Sequence, residues 1–90
     1  MFTENYPLAS QVKPLDNYCL MVTFENGEQR IFDAKPIIKG NWFSQLLDEN
    51  YFKTVHIAGL SIEWAEGQDV APDDLYFDSV PVKEAITPVA

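Results

Sequence analysis

The sequence is poor in the residues that most often carry catalytic or metal chemistry. It contains a single cysteine, Cys19, and a single histidine, His56. One cysteine cannot form a disulfide within the chain, and its apolar neighbours indicate an inert buried thiol in a reducing compartment. A lone histidine needs a partner to act as an acid or base, and Asp33 and Glu63 are candidates only as acidic strand residues. We therefore predict no catalytic residue, no cofactor and no metal site.

Positive charge is also scarce. Six Lys and Arg residues oppose fourteen Asp and Glu residues, which gives a net charge of -8. This field repels phosphate backbones, so we expect no direct nucleic-acid binding, and it favours a basic protein as the partner. No apolar run approaches the roughly 18 residues of a membrane helix, and the N-terminus lacks the basic and apolar regions of a signal peptide. The sequence predicts a cytoplasmic protein without a membrane contact.

What is present is enough for one folded domain. The chain has 90 residues, of which 47% are hydrophobic, and this content excludes general disorder. Residues 1–9 show no period and are predicted to be a lead-in. Residues 10–77 are predicted to form the domain, and residues 78–90 an extension or a flexible end.

The clearest local signal is a hairpin between YCLMVTF (18–24) and QRIFD (29–33). The intervening Asn26 and Gly27 favour a two-residue type I′ turn, which would pair Val22 with Ile31. One face is then the better core face, and it carries Tyr18, Leu20, Val22, Phe24 and Ile31. The other face is mixed and partly covered by a helix; it carries Cys19, Met21, Thr23, Arg30 and Phe32.

Further elements complete a predicted α+β fold, a small and mainly antiparallel sheet with one or two short helices. Residues 12–15 form an N-terminal strand whose Pro14 indicates an edge position or a strand end. VHIAG and LSIEW (55–64) form a second hairpin that reverses at Gly59. Apolar residues three and four apart predict a helix from Asn41 to Leu47, with Asn41 as its cap.

The acidic stretch GQDVAPDDLYF (67–77) invites a functional reading, but a short helix explains it. Pro72 suits the first helical position, and Asp73 and Asp74 then meet the positive end of the helix dipole. The spacing of the acids does not match a calcium loop. A weak cation site and a contact surface are the alternatives. Trp42 and Trp64 are expected in the core, and the alternative is that they line a ligand pocket.

These segments together resemble a family of small bacterial domains of unknown function. The resemblance rests on YCLMVTFENGEQRIFD (18–33), PIIKGNWFSQL (36–46), FKTVHI (52–57) and IEWAEGQDVAPDDLY (62–76). The pattern is that of a strand, NGE, a strand ending in FD, and a close of the form WxxGxDxxPDxLY. Its recurring positions are read as structural here: Asn26, Gly27, Phe32, Asp33, Gly40, Trp64, Gly67, Asp69, Pro72, Asp73 and Tyr76. Ala71 departs from the pattern, since a capping Asp is usual there.

The resemblance implies an α+β fold and no established activity. Some relatives carry a helix-turn-helix domain, for which this chain ends too soon, and others are encoded in suspected toxin–antitoxin pairs. We therefore expect a non-catalytic protein-interaction module, in an antitoxin-like version the partner of a small basic protein. One alternative is a small-molecule sensor with a pocket around Trp42, Trp64, Tyr76 and His56. Another is a homodimer that pairs through sheet edges.

Overall fold

Two antiparallel sheets form the body of the domain in this computed structural model, which describes residues 5–85. The first sheet has the order β1-β2-β3-β7 and the second β4-β5-β6. The strands are β1 (Ala9–Leu15), β2 (Cys19–Phe24), β3 (Gln29–Asp33), β4 (His56–Ala58), β5 (Ser61–Glu63), β6 (Asp69–Val70) and β7 (Val80–Pro81). The predicted fold class is confirmed, with the two predicted hairpins in separate sheets. Pro14 lies in the edge strand β1, as predicted, where its missing N–H interrupts no ladder.

The helices are all short. They are α1 (Gly40–Phe43), α2 (Glu49–Phe52), α3 (Pro72–Phe77) and α4 (Val82–Ala85), with 3₁₀ turns at Asp16–Tyr18, Lys35–Ile37 and Ser44–Leu47. The predicted Asn41 cap is wrong. The helix begins at Gly40, whose φ of +77° turns the chain into it, and Asn41 lies inside the first turn. No helix in residues 5–85 combines the length and apolarity needed to cross a membrane.

The register of the first hairpin differs by one residue from the predicted one. The loop has three residues rather than two: the Phe24 N–H donates to Glu28 O at 2.8 Å and the Gly27 N–H to Phe24 O at 2.9 Å. Only Gly27 has a positive φ, +92°, whereas Asn26 uses its side chain to accept the Glu28 N–H. This is the common three-residue loop with a glycine in the left-handed region, not a type I′ turn.

The changed register exchanges two large side chains between the faces of β3. Leu20 pairs with Phe32 and Val22 with Arg30. Residues directly opposite each other share a face, so Phe32 is in the core, 2% exposed, while Ile31 is on the outer face. The predicted placement of both residues was wrong, because a one-residue slip moves every side chain of a strand to the other face.

The core lies between the inner faces of the sheets and the short helices. Trp64 is fully buried, and its Nε1–H donates to the Phe52 carbonyl at 2.9 Å. The prediction that Trp42 is also core is wrong, since it is 51% exposed. The buried hydrophobic residues are Leu20, Val22, Phe24, Phe32, Ala34, Leu46, Phe52, Val55, Ile62, Trp64, Val70 and Leu75.

The first sheet extends past residue 77, the predicted end of the domain. Strand β7 pairs with β3, so that Val80 faces Ile31 and Pro81 faces Arg30. At the other end, β1 begins at Ala9, the last residue of the predicted lead-in. The rest of the predicted lead-in and extension that falls on residues 1–4 and 86–90 lies outside the described residues.

Candidate interaction surfaces

The acidic stretch after Gly67 begins a helix, as predicted. Pro72 is the first residue of α3, and Ala71 caps it without a side-chain hydrogen bond. Asp73 and Asp74 lie in the first turn, where the Asp73 carboxylate accepts the Asp74 N–H at 2.9 Å. In residues 5–85 no group of three His, Cys, Asp or Glu side chains is arranged to hold a metal ion. These acids are therefore explained by the helix start and by exposure to solvent.

Several recurring positions of the pattern shape turns. Gly27 and Gly67 have φ values of +92° and +100°. The Gly67 N–H donates to the Trp64 carbonyl at 2.8 Å, which closes the turn between β5 and β6. Asp33 holds the end of β3, because its carboxylate accepts the Lys35 N–H and contacts Lys35 Nζ, both at 2.9 Å.

A buried glutamine, Gln68, connects the turn between β5 and β6 to the helical residues 40–52. The Gln68 side chain is fully buried; its Oε1 accepts from Tyr51 Oη at 2.6 Å. Its amide nitrogen donates to the Trp42 carbonyl at 2.9 Å and to Gln45 Oε1 at 2.8 Å. Sequence reasoning missed this role, because a glutamine between a glycine and an aspartate resembles any solvent-exposed turn residue. The satisfied network explains how a polar side chain is accommodated in the core.

A second polar network attaches α3 and β7 to the first hairpin. The Arg30 guanidinium lies 4.4 Å from the Tyr76 ring centroid and donates from Nη2 to the Ser79 carbonyl at 2.7 Å. Tyr76 Oη donates to Glu28 Oε1 at 2.6 Å. Hydrogen bonds from Tyr76, Asn26 and Arg30 lower the pKa of Glu28, and the bond to Glu28 raises the pKa of Tyr76. Tyr76 therefore acts as a connecting residue rather than as part of a pocket.

We expect this network to be visible in acid unfolding. Because the pKa of Glu28 is lowered from 4.5 in the folded state, its contribution is present above that value and is lost as pH falls through the folded-state pKa. Replacing Glu28 by Gln should make the loss of stability below about pH 4.5 shallower. Urea unfolding between neutral and acidic pH measures this slope. Glu25→Gln, in the same hairpin and at an exposed position, is the matched control for the loss of one charge. Equal slopes for all three proteins would contradict the role of Glu28.

His56 points away from the core into solvent, as predicted for the face opposite Val55. Its Nε2 lies 3.3 Å from Glu63 Oε2, while Nδ1 lies 2.9 Å from the Thr54 carbonyl. The Thr54 carbonyl, with Glu63, raises the pKa of His56. Of the two predicted partners, the structure brings only Glu63 to the histidine, since Asp33 is in the other sheet beside Lys35. The arrangement is an exposed contact that is an ion pair when His56 is protonated.

The stretch from Glu63 to Asp78 carries acidic side chains and no Lys or Arg, and we call it the acidic segment. Its acids are Glu63, Glu66, Asp69, Asp73, Asp74 and Asp78, and no Lys or Arg occurs between Lys53 and Lys83. Among the described residues only Glu63 of this set lies within 4.0 Å of a basic side chain, that of His56. Asp69 lies directly opposite Glu63 in the sheet, so two like charges are neighbours. Phe77, in the same segment, is 59% exposed.

The outer face of the first sheet has the opposite character. We define it by the side chains that point away from the core in β1, β2, β3 and β7. One row across the strands is Lys13, Met21, Ile31 and Val80, and a neighbouring row is Leu15, Cys19 and Asp33. None of the apolar members belongs to the buried core cluster or packs against it. A third row is Gln11, Thr23 and Gln29, so half of the side chains on this face are polar, and Lys13 and Asp33 are its charged members.

The best-formed cleft does not support a ligand site around the tryptophans. It has a volume of about 100 Å³, and its walls include Tyr18, Phe52 and Lys53. A more open cleft of about 460 Å³, within the usual 300–1,000 Å³ of ligand sites, has walls that include Gly27, Glu28, Pro81 and Lys83. The residues that the sensor hypothesis placed around one pocket line neither cleft: Trp42, Trp64, Tyr76 and His56.

The relationship of the chain to known proteins was established by comparison. No curated protein and no solved structure gives a significant match. One family model, described as protein of unknown function DUF2442, matches residues 9–81, from the start of β1 to the end of β7. The match includes β7, which agrees with its place in the first sheet. The chain therefore belongs to the DUF2442 family of proteins of unknown function.

Proposed function

We propose that this domain is a non-catalytic protein-interaction module whose acidic segment binds a basic protein. The observation that supports this most is the run of six acids from Glu63 to Asp78 without a Lys or Arg among them. All of them except Glu63 are exposed. The nearly unpaired negative charge lies beside exposed apolar surface at Phe77.

The physical basis of this proposal is the electrostatic repulsion between neighbouring carboxylates, which remains in the unbound domain. Glu63 and Asp69 face each other across β5 and β6, and His56 contacts only the first of them. A Lys or Arg of the partner placed between these carboxylates removes that repulsion and adds a favourable ion pair. Complementary charge raises the association rate and makes binding sensitive to salt, while burial of Phe77 supplies an apolar anchor.

An antitoxin-like role is the specific form of this proposal that the family resemblance suggests. In that form the basic partner is a toxin in the cytoplasm, and the acidic segment covers its basic surface. A sensor of small molecules is less well supported, because Trp42, Trp64, Tyr76 and His56 line neither the cleft of about 100 Å³ nor the more open one of about 460 Å³.

The test is capture of partners from the native lysate at low salt, followed by elution with rising salt and mass spectrometry. A segment variant combines Glu66→Gln, Asp69→Asn, Asp74→Asn and Asp78→Asn. A control variant combines Asp16→Asn, Glu25→Gln, Asp48→Asn and Glu49→Gln, so both variants lose four negative charges. Thermal unfolding of both confirms that they fold.

We expect one basic protein to bind the wild type and the control variant, to be released as salt rises, and to be lost from the segment variant. Equal loss from both variants would show that only the net charge of the domain matters. Equal retention by both would show that the partner binds elsewhere. Either result would contradict the proposed site.

A further inference from the structure

We propose that an arginine side chain of the basic partner stacks on the exposed ring of Trp42 and pairs with the carboxylate of Glu66. This inference rests on the proposed function and names the chemistry that one end of the acidic segment recognises. It begins from the contrast between the two tryptophans, since Trp64 is fully buried whereas Trp42 is 51% exposed. An exposed indole leaves a large apolar surface in water, and tryptophan is enriched at the energetic centres of protein interfaces.

The Trp42 ring lies beside the turn that carries Glu66. A Cβ added at Gly67 would lie 3.8 Å from Cζ2 of Trp42, so the ring is in contact range of this glycine. Glu66 directly precedes Gly67 in the chain and is exposed. Its Oε1 accepts from the side-chain amide of Gln45 at 3.4 Å, and Gln45 follows Trp42 by one turn of the helical segment. The indole and the carboxylate are therefore neighbours on the surface, although they are far apart in the chain.

The Trp42 backbone and the Gln45 side chain are held in place from inside the domain. The buried Gln68 amide donates to the Trp42 carbonyl at 2.9 Å and to Gln45 Oε1 at 2.8 Å. The Phe43 ring packs against the indole in a T-shaped contact, with 5.7 Å between centroids. These contacts order the surface before a partner arrives, so less conformational entropy is lost when one binds.

The unpaired carboxylate favours a cation here, and the flat ring favours a guanidinium. No Lys or Arg of residues 5–85 stacks on the Trp42 ring or lies within 4.0 Å of the Glu66 carboxylate. Tryptophan is the aromatic residue that attracts cations most strongly, and arginine adds planar stacking and two parallel hydrogen bonds to a carboxylate. Lysine carries a compact, strongly hydrated ammonium, which has no planar face and cannot form the paired hydrogen bonds.

The domain already binds one of its own arginines in this way. The Arg30 guanidinium lies 4.4 Å from the Tyr76 ring centroid, and its Nη1 lies 3.2 Å from Glu28 Oε2. One ring and one carboxylate thus hold a single guanidinium. Trp42 and Glu66 offer the same two groups at the surface, without an arginine of this chain among the described residues.

The experiment compares an oligo-arginine peptide with an oligo-lysine peptide of the same length and charge, by calorimetric titration at low salt. The arginine peptide should bind the wild type more tightly and should change the fluorescence of Trp42 above the constant signal of the buried Trp64. Trp42→Leu should weaken the arginine peptide about two- to fivefold, the value of one exposed cation–π contact. Trp42→Phe keeps an aromatic ring and should weaken it less. Thermal unfolding confirms that both variants fold.

A double-mutant cycle shows whether one arginine contacts both groups. If it does, combining Trp42→Leu with Glu66→Gln weakens the arginine peptide by less than the product of the two single effects. Trp42→Leu combined with Asp16→Asn is the control, because Asp16 is an exposed acid between β1 and β2, outside the acidic segment. In the control the two effects should multiply, since no single arginine contacts both positions.

Three results would overturn the inference: equal affinity of the wild type for the two peptides, an unchanged affinity of Trp42→Leu for the arginine peptide, or effects that multiply in the cycle of Trp42 and Glu66. The proposed function survives each of them if the segment variant loses the captured protein and the control variant retains it. Its own failure appears in that capture experiment, as equal behaviour of the segment and control variants, so the two proposals fail separately.

Discussion

Replacing Trp64 by Ala is expected to lower the free energy of unfolding by about 3–5 kcal/mol, the usual cost of deleting a buried aromatic side chain. Trp64 is fully buried and contacts the ring of Phe52, with 5.8 Å between centroids. Its Nε1–H also donates to the Phe52 carbonyl at 2.9 Å, and the substitution leaves that acceptor with only the longer bond from the Val55 N–H at 3.4 Å. Because a domain of this size is stable by roughly 5–15 kcal/mol, the loss is a large part of the total and should clearly lower the unfolding temperature.

Trp42→Ala is the matched control, since the same residue type is replaced where the ring is 51% exposed. The Trp42 carbonyl that accepts from Gln68 belongs to the backbone and survives the substitution. We expect a loss of about 1 kcal/mol or less, as for most surface changes. Thermal unfolding followed by circular dichroism measures both. Similar losses for the two variants would show that Trp64 is not the centre of the core.

Gln68→Glu is expected to destabilise the domain by about 3–5 kcal/mol at neutral pH, because it leaves a buried charge without a counter-charge. The change is nearly isosteric, so packing is preserved. It replaces the amide nitrogen by an oxygen that faces two acceptors, the Trp42 carbonyl and Gln45 Oε1. The bond from Tyr51 remains available to the other oxygen.

The pH dependence of this variant has a defined sign. Burial raises the folded-state pKa of the introduced carboxyl above its unfolded value of about 4.3. The penalty therefore grows as pH rises above about 4.3 and is smallest where the carboxyl is protonated in both states. Urea unfolding from acidic to neutral pH should show the variant approaching the wild type at low pH. Gln11→Glu, at an exposed position of β1, is the control, and an equal effect there would contradict the role of the buried network.

Local signals in the sequence predicted the elements well. Asn26 and Gly27 located the first hairpin, Gly59 the second, and Pro72 the start of α3. They did not fix the register, since a two-residue and a three-residue loop both suit Asn and Gly. The difference of one residue in loop length decides whether Phe32 or Ile31 lies in the core. At Ala71 the usual capping signal is absent, and the helix forms nonetheless: α3 begins at Pro72 without a capping side chain.

Contacts between distant parts of the chain were beyond sequence reasoning. The contact of Arg30 with Ser79 spans 49 residues, and that of Glu28 with Tyr76 spans 48. No periodic pattern in the sequence predicts such pairs. Val80 and Pro81 also form too short a strand to show a pattern, and they join the sheet because the chain returns to the free edge of β3. The acidic segment, in contrast, was visible as a charge bias, although the structure was needed to show that only Glu63 of its acids lies near a basic side chain among the described residues.

The most direct test of the proposed function is the association rate between the domain and the basic protein that it captures, measured against salt. For the wild type and the control variant, the rate should fall steeply as salt rises from about 50 to 300 mM. The segment variant should associate about tenfold more slowly at low salt and should show a flatter dependence. A wild-type rate that does not change with salt, or equal slopes for the segment and control variants, would contradict electrostatic recognition by the acidic segment.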